Sequence, residues 1–423
     1  MKISTNYVEP ILVKQLDLRK SGENCKMFLG DLTGDGRIDL LMVQPNGGID
    51  DRYEPHQVEA MTAFNLDGEL LWQLGTPSEQ PGGPGSDYPV QIYDIDGDGN
   101  NEVLCVMDKF FYIINGKTGE VKKKFALPNK HAHDCIVIAN VSGNIFPQDI
   151  ILKDRYEQMW VMNKEWELLW THKGNIGHFP WVFDFNGDGK DEIMAGYDFL
   201  SADGQLLWSC QGLDEHADCI WIGKVQLEAK EPQIVIGGSV TVLYDWQGSE
   251  IWRYDGSIES QHICLGNFRE DLTGLQIAGL DRIIRGTSHA DGRDSIFLLD
   301  ANGNEVWKEN RKTAGWLTVI DTLSNWGNNE LDYILAYRRG GNVYPTIYDG
   351  YNNVVTTFPQ DGYVVFGDLV GTGENQIIVY DQSSAYVYAS EQVDLSVPSS
   401  GRTAPQSKRA YSVTLYPGGE YIR

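Results

Sequence analysis

Long apolar runs are missing from this sequence. Its 423 residues contain no stretch of about 18 apolar residues, the length that a membrane-spanning helix needs. The first 20 residues also lack the apolar segment and the small-residue cleavage site of a secretory signal. The sequence therefore predicts no membrane partner, and we expect a cytoplasmic protein.

Basic residues and recognisable cofactor motifs are scarce as well. Lys and Arg number 34 against 60 Asp and Glu, a formal net charge of -26, so the overall field repels polyanions and no nucleic-acid partner is expected. No P-loop, GxGxxG, GxSxG or zinc signature occurs in a supporting context. The six cysteines form no CxxC pair and are mostly embedded in apolar segments, which predicts reduced core residues.

What the sequence does contain is a repeated strand-loop-strand unit. Examples are MFLGDLTGDGRIDLLMV from Met27, VQIYDIDGDGNNEVLCV from Val90 and WVFDFNGDGKDEIMAG from Trp181, and further copies begin at Cys135, Cys219, Ile263, Leu317 and Val364. Between copies lie two short strands around a Gly-containing turn, commonly ending in Leu-Trp or Val-Trp, as in FLSADGQLLWSC. One strand-loop-strand copy and the two short strands that follow it together make a four-stranded antiparallel sheet.

Eight such sheets predict an all-β fold, an eight-bladed β-propeller of four-stranded antiparallel blades, with a β-sandwich or β-solenoid as the alternatives. We expect residues 1–423 to form a single propeller domain. Strand-like segments before Cys25 and around residues 411–415 are the candidates for closing the ring.

Three acidic loops, DLTGDGRID, DIDGDGNNE and DFNGDGKDE, place oxygen-bearing side chains at alternate positions around glycines. Calcium takes six to eight oxygen ligands, and glycine lets the chain curl around the ion. The flanking segments are β-branched strands, which excludes an EF-hand, and the loops resemble FG-GAP-type repeats; acidic turns without metal are the alternative. The predicted ligands of about three structural Ca²⁺ sites are Asp31, Thr33, Asp35 and Asp39; Asp94, Asp96, Asp98 and Glu102; and Asp184, Asn186, Asp188 and Glu192.

Histidines recur at one repeat position, the start of the first strand, in four successive units: His133, His178, His216 and His262. If the acidic loops lie on one face, these histidines converge on the opposite mouth of the central channel. Loops at the same face carry further candidates for contacts to an anionic ligand, namely Lys109, Lys153, Arg155, Tyr197, Arg282, Arg285, Arg338 and Arg339. Histidine can exchange protons near neutral pH or ligate a metal, so an additional metal is possible here.

Histidines and cations at one mouth suit β-elimination at a uronate. A cation neutralises the carboxylate, a base removes the C5 proton and an acid protonates the departing O4. Two alternatives stay open: a non-catalytic propeller that binds acidic glycans or a protein, and a glycoside hydrolase, for which Asp134, Asp198 and Asp218 are available.

The stretch GNIGHFPWVFDFNGDGKDEIMAG, followed by HADCIWIG, resembles the rhamnogalacturonan lyases of polysaccharide lyase family eleven. The resemblance implies an eight-bladed propeller with several calcium ions and an acidic substrate that contains uronate and rhamnose. It also implies that His178 and His216 are the acid/base pair. His133, His262, Lys153, Arg155, Arg282, Arg338 and Tyr197 are then the predicted substrate-binding residues.

Overall fold

The computed structural model describes residues 2–3, 7–83, 85–284, 291–311, 319–327, 329–337, 343–396, 416 and 418–421. Within these ranges regular structure is almost entirely β-strand. One 3-10 helix spans Arg19–Ser21, and no described helix has the length and hydropathy to cross a membrane.

The strands fall into consecutive groups of three or four hydrogen-bonded strands; each group is called a unit, and the units are numbered in chain order. Before them lie β1 (Lys2–Ile3) and β2 (Ile11–Asp17). Units 1 to 4 comprise β3 (Lys26–Gly30), β4 (Asp39–Pro45), β5 (Val58–Phe64) and β6 (Leu70–Leu74); β7 (Val90–Tyr93), β8 (Glu102–Met107), β9 (Phe110–Asn115) and β10 (Val121–Ala126); β11 (Ile136–Ala139), β12 (Asp149–Lys153), β13 (Gln158–Met162) and β14 (Leu168–Lys173); and β15 (Trp181–Phe183), β16 (Glu192–Ala195), β17 (Asp198–Leu200) and β18 (Leu206–Ser209).

Units 5 to 8 comprise β19 (Cys219–Gly223), β20 (Gln233–Gly237), β21 (Thr241–Asp245) and β22 (Glu250–Tyr254); β23 (His262–Gly266), β24 (Gln276–Ile284), β25 (Arg293–Leu299) and β26 (Glu305–Asn310); β27 (Val319–Leu323), β28 (Tyr333–Tyr337), β29 (Thr346–Tyr348) and β30 (Asn353–Thr357); and β31 (Tyr363–Gly367), β32 (Gln376–Tyr380) and β33 (Ser384–Ala389). A last strand, β34 (Gly419–Tyr421), follows.

Pairing within each unit is antiparallel and follows chain order. Unit 8 takes its fourth strand from the other end of the chain, since β2 pairs antiparallel with β33. A parallel bridge between β5 and β8 joins units 1 and 2 into one sheet. Over the described residues, the predicted all-β class with four-stranded antiparallel sheets is confirmed; a closed eight-bladed ring forming one domain stays a prediction.

First strands lie innermost. Among the described strands, β3 lies beside both β7 and β31, and β23 lies beside both β19 and β27. Their residues are buried almost without exception, whereas the fourth strands are largely exposed, as in β10. This gradient explains the sequence pattern, because a strand covered on both faces needs continuous apolar residues and an outer strand does not.

Tryptophans of the fourth strands of units 1, 3, 4, 5 and 6 connect each of these units to the next, which accounts for the recurring Leu-Trp motif. Each donates its indole N–H to a carbonyl oxygen in the following unit. The pairs are Trp72 with Gly116 at 2.6 Å, Trp170 with Ala202, Trp208 with Trp246 and Trp252 with Ala301, each at 3.0 Å, and Trp307 with Gly350 at 2.8 Å. At Gly204 (φ +81°) a Cβ atom would lie 2.4 Å from the Trp170 ring, so only glycine fits beneath the indole.

The interface between units 2 and 3 exchanges these roles. Trp166 occupies the turn of unit 3 at a φ of +66°, where units 1, 2, 4, 5 and 6 have glycine, and donates to the Ala126 carbonyl of unit 2 at 2.9 Å. Its ring stacks on Phe125 with centroids 4.9 Å apart. The aromatic contact is therefore preserved with the donor on the opposite side.

The six cysteines form no disulfide, and five of them are buried. The prediction of reduced core residues is confirmed.

Candidate functional site

The three acidic loops connect the first and second strands of units 1, 2 and 4, and all twelve predicted calcium ligands lie in or beside them. The loops share one local geometry, because the first aspartate accepts backbone N–H groups from both glycines. For Asp94 the donors are Gly97 at 2.7 Å and Gly99 at 2.9 Å, and Asp31 and Asp184 repeat this pattern. The curl predicted from glycine spacing is thus formed by the chain itself.

The donor atoms in these loops fit a hard cation. Carboxylate oxygens of Asp94, Asp96 and Glu102 lie within 4.8 Å of one another. Burial, together with the charges of Asp31 and Asp35, raises the pKa of Asp39 to about 6, a cost that a bound cation would relieve. In unit 2 the Lys122 ammonium already contacts Asp96 at 2.7 Å and Glu102 at 2.8 Å. Calcium in all three loops stays a prediction, with the unit 2 loop partly neutralised by Lys122.

We expect chelation to lower thermal stability if these loops hold calcium. A ligand present at one hundred times its Kd stabilises the folded state by about 2.7 kcal/mol per site. The measurement is the unfolding temperature in EDTA and after adding back Ca²⁺ or Mg²⁺, with Ca²⁺ expected to restore it. An unfolding temperature that EDTA leaves unchanged would contradict the calcium assignment.

The predicted histidines lie at the opposite ends of the first strands from the acidic loops. His178 precedes β15, His216 and Asp218 precede β19, and His262 opens β23. Asp87 occupies the corresponding position before β7. Side chains from different units therefore converge at one end of the innermost strands.

His178 is the centre of this group. Its Nδ1 lies 2.9 Å from Asp87 Oδ2, so the Nδ1–H group donates a hydrogen bond to the carboxylate and the lone pair is on Nε2. The Nε2 atom lies 3.4 Å from the Tyr156 hydroxyl and 3.8 Å from Asp218 Oδ1. Burial, and then the charge of Arg155, lower the pKa of His178 well below its usual value. A neutral imidazole with an oriented lone pair is suited to act as a base.

His216 and Tyr156 form the more accessible side of the group. Their rings stack with centroids 4.4 Å apart, and the His216 side chain is 28% exposed while that of His178 is 3% exposed. Burial raises the pKa of Tyr156 and lowers the pKa of His216, so at neutral pH the phenol carries a proton and the imidazole is neutral.

Imidazole nitrogens of His178 and His216 and a carboxylate oxygen of Asp218 also lie within 4.8 Å of one another. This set could hold a metal ion. Two nitrogen donors and one oxygen donor suit a transition metal such as zinc better than calcium, which prefers oxygen ligands.

An ion network supports the group from behind. Arg155 contacts Asp134 at 2.5 Å, Asp51 at 3.0 Å and Asp87 at 3.3 Å. Lys153 is 0% exposed; it forms a short ion pair with Asp134 and donates to the Arg155 carbonyl at 2.7 Å. These two cations offset two of the three negative charges in the carboxylate cluster, and one of its members, Asp87, orients His178.

With this geometry in place, the chain can be compared with known proteins. No family model matches the sequence. A sequence match links it to the rhamnogalacturonan exolyase YesX of Bacillus subtilis at 21% identity over 262 residues, and the match covers 48% of this chain and 42% of that protein. The chain therefore aligns with less than half the length of the curated relative.

Solved structures of rhamnogalacturonan lyases have a fold similar to that of this chain. The crystal structure of YesX matches with a TM-score of 0.65 and 17% identity, covering 92% of this chain and 75% of that one. The Bacillus licheniformis rhamnogalacturonan lyase PL11 matches with a TM-score of 0.67 and 16% identity, covering 96% and 78%. This chain resembles rhamnogalacturonan lyases in sequence and in fold.

The rhamnogalacturonan lyase resemblance predicted from the sequence is thus confirmed. The same fold also occurs in the V. cholerae biofilm matrix protein Bap1, with a TM-score of 0.61 and 13% identity, covering 93% of this chain and 90% of that one. Fold alone therefore does not decide the activity.

The structure brings together four of the residues predicted for a rhamnogalacturonan lyase-like site, His178, His216, Lys153 and Arg155. The other predicted residues have different partners. His133 Nδ1 lies 3.4 Å from the His56 carbonyl oxygen, Arg282 lies 3.5 Å from Glu259, and the Tyr197 hydroxyl donates to the Asp214 carbonyl at 3.1 Å. His262 is buried beside Tyr416, and Arg338 lies outside the described residues.

Sequence reasoning missed Asp87, Asp51 and Tyr416. Asp87 could have been found, because SDYPV places it at the repeat position that holds histidine in later units. Asp51 lies in the β4–β5 loop and Tyr416 precedes β34, so neither occupies a repeat position. Their contribution depends on the three-dimensional fold.

Proposed function

We propose that the protein is a polysaccharide lyase that cleaves a rhamnose-uronate bond by β-elimination and leaves an unsaturated uronate. The observation that carries the proposal is the Asp87–His178 pair, which directs a neutral Nε2 toward Tyr156 and Asp218. The similarity to rhamnogalacturonan exolyase YesX supports the substrate class. An acidic polysaccharide or oligosaccharide containing uronate and rhamnose is the proposed partner.

His178 is the proposed base. In β-elimination a base removes the proton at C5 of the uronate, the C4–O4 bond breaks, and a C4=C5 double bond forms. The lowered pKa of His178 keeps its imidazole neutral and able to accept that proton. Asp87 stabilises the imidazolium that results, because its negatively charged carboxylate accepts a hydrogen bond from the Nδ1–H group.

Tyr156 is the proposed acid. Its phenol remains protonated at neutral pH and can donate to the departing O4. The proton gained by His178 Nε2 then returns to the phenolate oxygen across 3.4 Å, which restores both groups for the next turnover. His216 stacks on Tyr156 and, as the more exposed ring, contacts the sugar.

The uronate carboxylate also requires positive charge. Arg155 is the candidate, because its Nη2 contacts Asp51, whose side chain is 29% exposed. A substrate carboxylate at the mouth would replace Asp51 as a hydrogen-bond partner of this Nη2 group. A metal ion held by His216 and Asp218 is the alternative source of positive charge, and it would supply electrostatic stabilisation of the enolate-like intermediate.

A hydrolase has less support. It would need two opposed carboxyl groups at the mouth. Asp134 is fully buried between Lys153 and Arg155, and the Asp198 carboxylate lies 2.8 Å from His172 Nε2, within hydrogen-bonding distance. Of these three aspartates only Asp218 lies in the histidine group, and the other carboxylate there, Asp87, is bonded to His178.

We expect absorbance from a C4=C5 double bond to rise when the protein is incubated with rhamnogalacturonan. Homogalacturonan, which lacks rhamnose, is the matched control and should give no signal. Release of reducing ends without new absorbance would indicate hydrolysis. Binding with neither product would indicate a non-catalytic glycan-binding propeller, and either result would refute the lyase.

A further inference from the structure

The C-terminal strand β34 lies on the inner edge of unit 5, next to its first strand. It pairs in parallel with β19, with Gly419 opposite Trp221 and Glu420 opposite Ile222, and it also lies beside β23. Because β19 runs from the histidine end toward the acidic-loop end, β34 follows the same direction. The residue just before it therefore arrives at the histidine group.

Two glycines allow this strand to pack closely against β15 and β19. A Cβ atom on Gly418 would lie 2.2 Å from Trp181 Nε1 and 2.1 Å from the Ile220 carbonyl oxygen. One on Gly419 would lie 2.8 Å from the Trp221 ring. At the far end the Tyr421 hydroxyl hydrogen-bonds the Asp332 carboxylate. The fit is specific, because neither glycine position tolerates a side chain without displacement.

Tyr416 sits between two histidine rings. Its ring is nearly parallel to that of His178, at 18° with centroids 3.6 Å apart, and to that of His262, at 9° and 5.0 Å. The residue is 3% exposed. Stacking restrains the tilt of the His178 ring, and the bond to Asp87 restrains its rotation in plane. The edge that carries Nε2 points toward Tyr156 instead.

We propose that Tyr416, delivered by β34, is a positioning residue that holds His178 in its reactive orientation. The proposal rests on the proposed lyase function. It assigns the C-terminal strand a part in the site, with Tyr416 acting through His178 and not on the substrate.

The kinetic test compares Tyr416→Ala with Tyr416→Phe. Misplacing a reacting group by about 1 Å can cost on the order of 100-fold in rate. We expect Tyr416→Ala to lower kcat by about 10- to 100-fold with KM little changed, and Tyr416→Phe to restore most of kcat, since a phenyl ring stacks equally well. A kcat that is unchanged or raised in Tyr416→Ala would overturn the proposal.

A second readout does not depend on activity. Diethyl pyrocarbonate modifies accessible imidazoles, and peptide mass spectrometry gives the rate for each histidine. We expect His178 to react at least about 10-fold faster in Tyr416→Ala than in the unmodified protein or in Tyr416→Phe. Exposed His131 and buried His133 serve as internal references for reagent and fold.

Gly418→Ala tests whether β34 holds Tyr416 against His178, because it keeps the tyrosine in the sequence but displaces the chain beside it. It should expose His178 as Tyr416→Ala does. Gly83→Ala is the matched control, because Gly83 has no atom within 4 Å of an added Cβ. Modification of His178 at the unaltered rate in both Tyr416→Ala and Gly418→Ala would refute the contact. Absence of lyase activity in the unmodified protein would instead refute the proposed function, whatever the modification rates show.

Discussion

Replacing His178 with Asn is expected to lower kcat by about 100- to 10,000-fold, the usual contribution of a general base. The Asn Nδ2 group can replace Nδ1 as the donor to Asp87, which lies 2.9 Å from the native ring. The substitution therefore removes the basic Nε2 while keeping the buried carboxylate hydrogen-bonded. The measurement is the initial rate of double-bond absorbance at saturating rhamnogalacturonan, with the unfolding temperature recorded in parallel.

His172→Gln is the matched control for this experiment. His172 lies on the outer strand β14 and bonds Asp198 through Nε2 at 2.8 Å, a contact that the Gln amide can reproduce. We expect its kcat to match that of the unmodified protein. A fall of less than about 10-fold in His178→Asn would show that another group removes the C5 proton.

Lys153→Met is expected to cost about 3–5 kcal/mol of unfolding free energy, the usual consequence of removing one partner from a buried ion pair. Lys153 and Asp134 are both 0% exposed. Methionine fills a similar volume, so the loss comes from the unpaired charge and not from a cavity. Arg155 stays within 2.5 Å of Asp134 and limits the loss to the lower part of that range. Equilibrium denaturation measures it directly.

Lys14→Met provides the comparison at the surface. Lys14 is 38% exposed and lies 3.9 Å from Asp67, so its removal should change stability by less than about 1 kcal/mol. If Lys153→Met were as mild as Lys14→Met, the ion pair between Lys153 and Asp134 would contribute little to the stability of the fold.

The repeated parts of the protein could be predicted from the sequence. The period of the strand-loop-strand unit predicts four-stranded sheets, and the shared position of His178 and His216 predicts that they meet. Both follow from one physical fact: equivalent positions in successive units lie at the same end of the inner strands. The family resemblance rests on the same repeated stretch.

The non-repeated parts could not be predicted in this way. Lys153 and Arg155 appear in the sequence as loop cations suited to an anionic ligand. Their actual partners are Asp51, Asp87 and Asp134, three carboxylates that come from units 1, 2 and 3 and meet only where these units pack side by side. Tyr416 precedes β34, a strand that does not belong to the repeat. A pattern repeated along the chain carries no information about such partners.

The tryptophan contacts between units determine how stable the candidate site is against local opening. Asp87, Asp134, His178 and Asp218 come from units 2, 3, 4 and 5, so the site spans three successive interfaces. In repeat architectures stability is approximately a sum of nearest-neighbour terms, and one junction can open while others persist. The site therefore requires all three interfaces at once, and it is lost when any one of them opens. The junction that Trp166 fastens in reverse, between units 2 and 3, is one of these three.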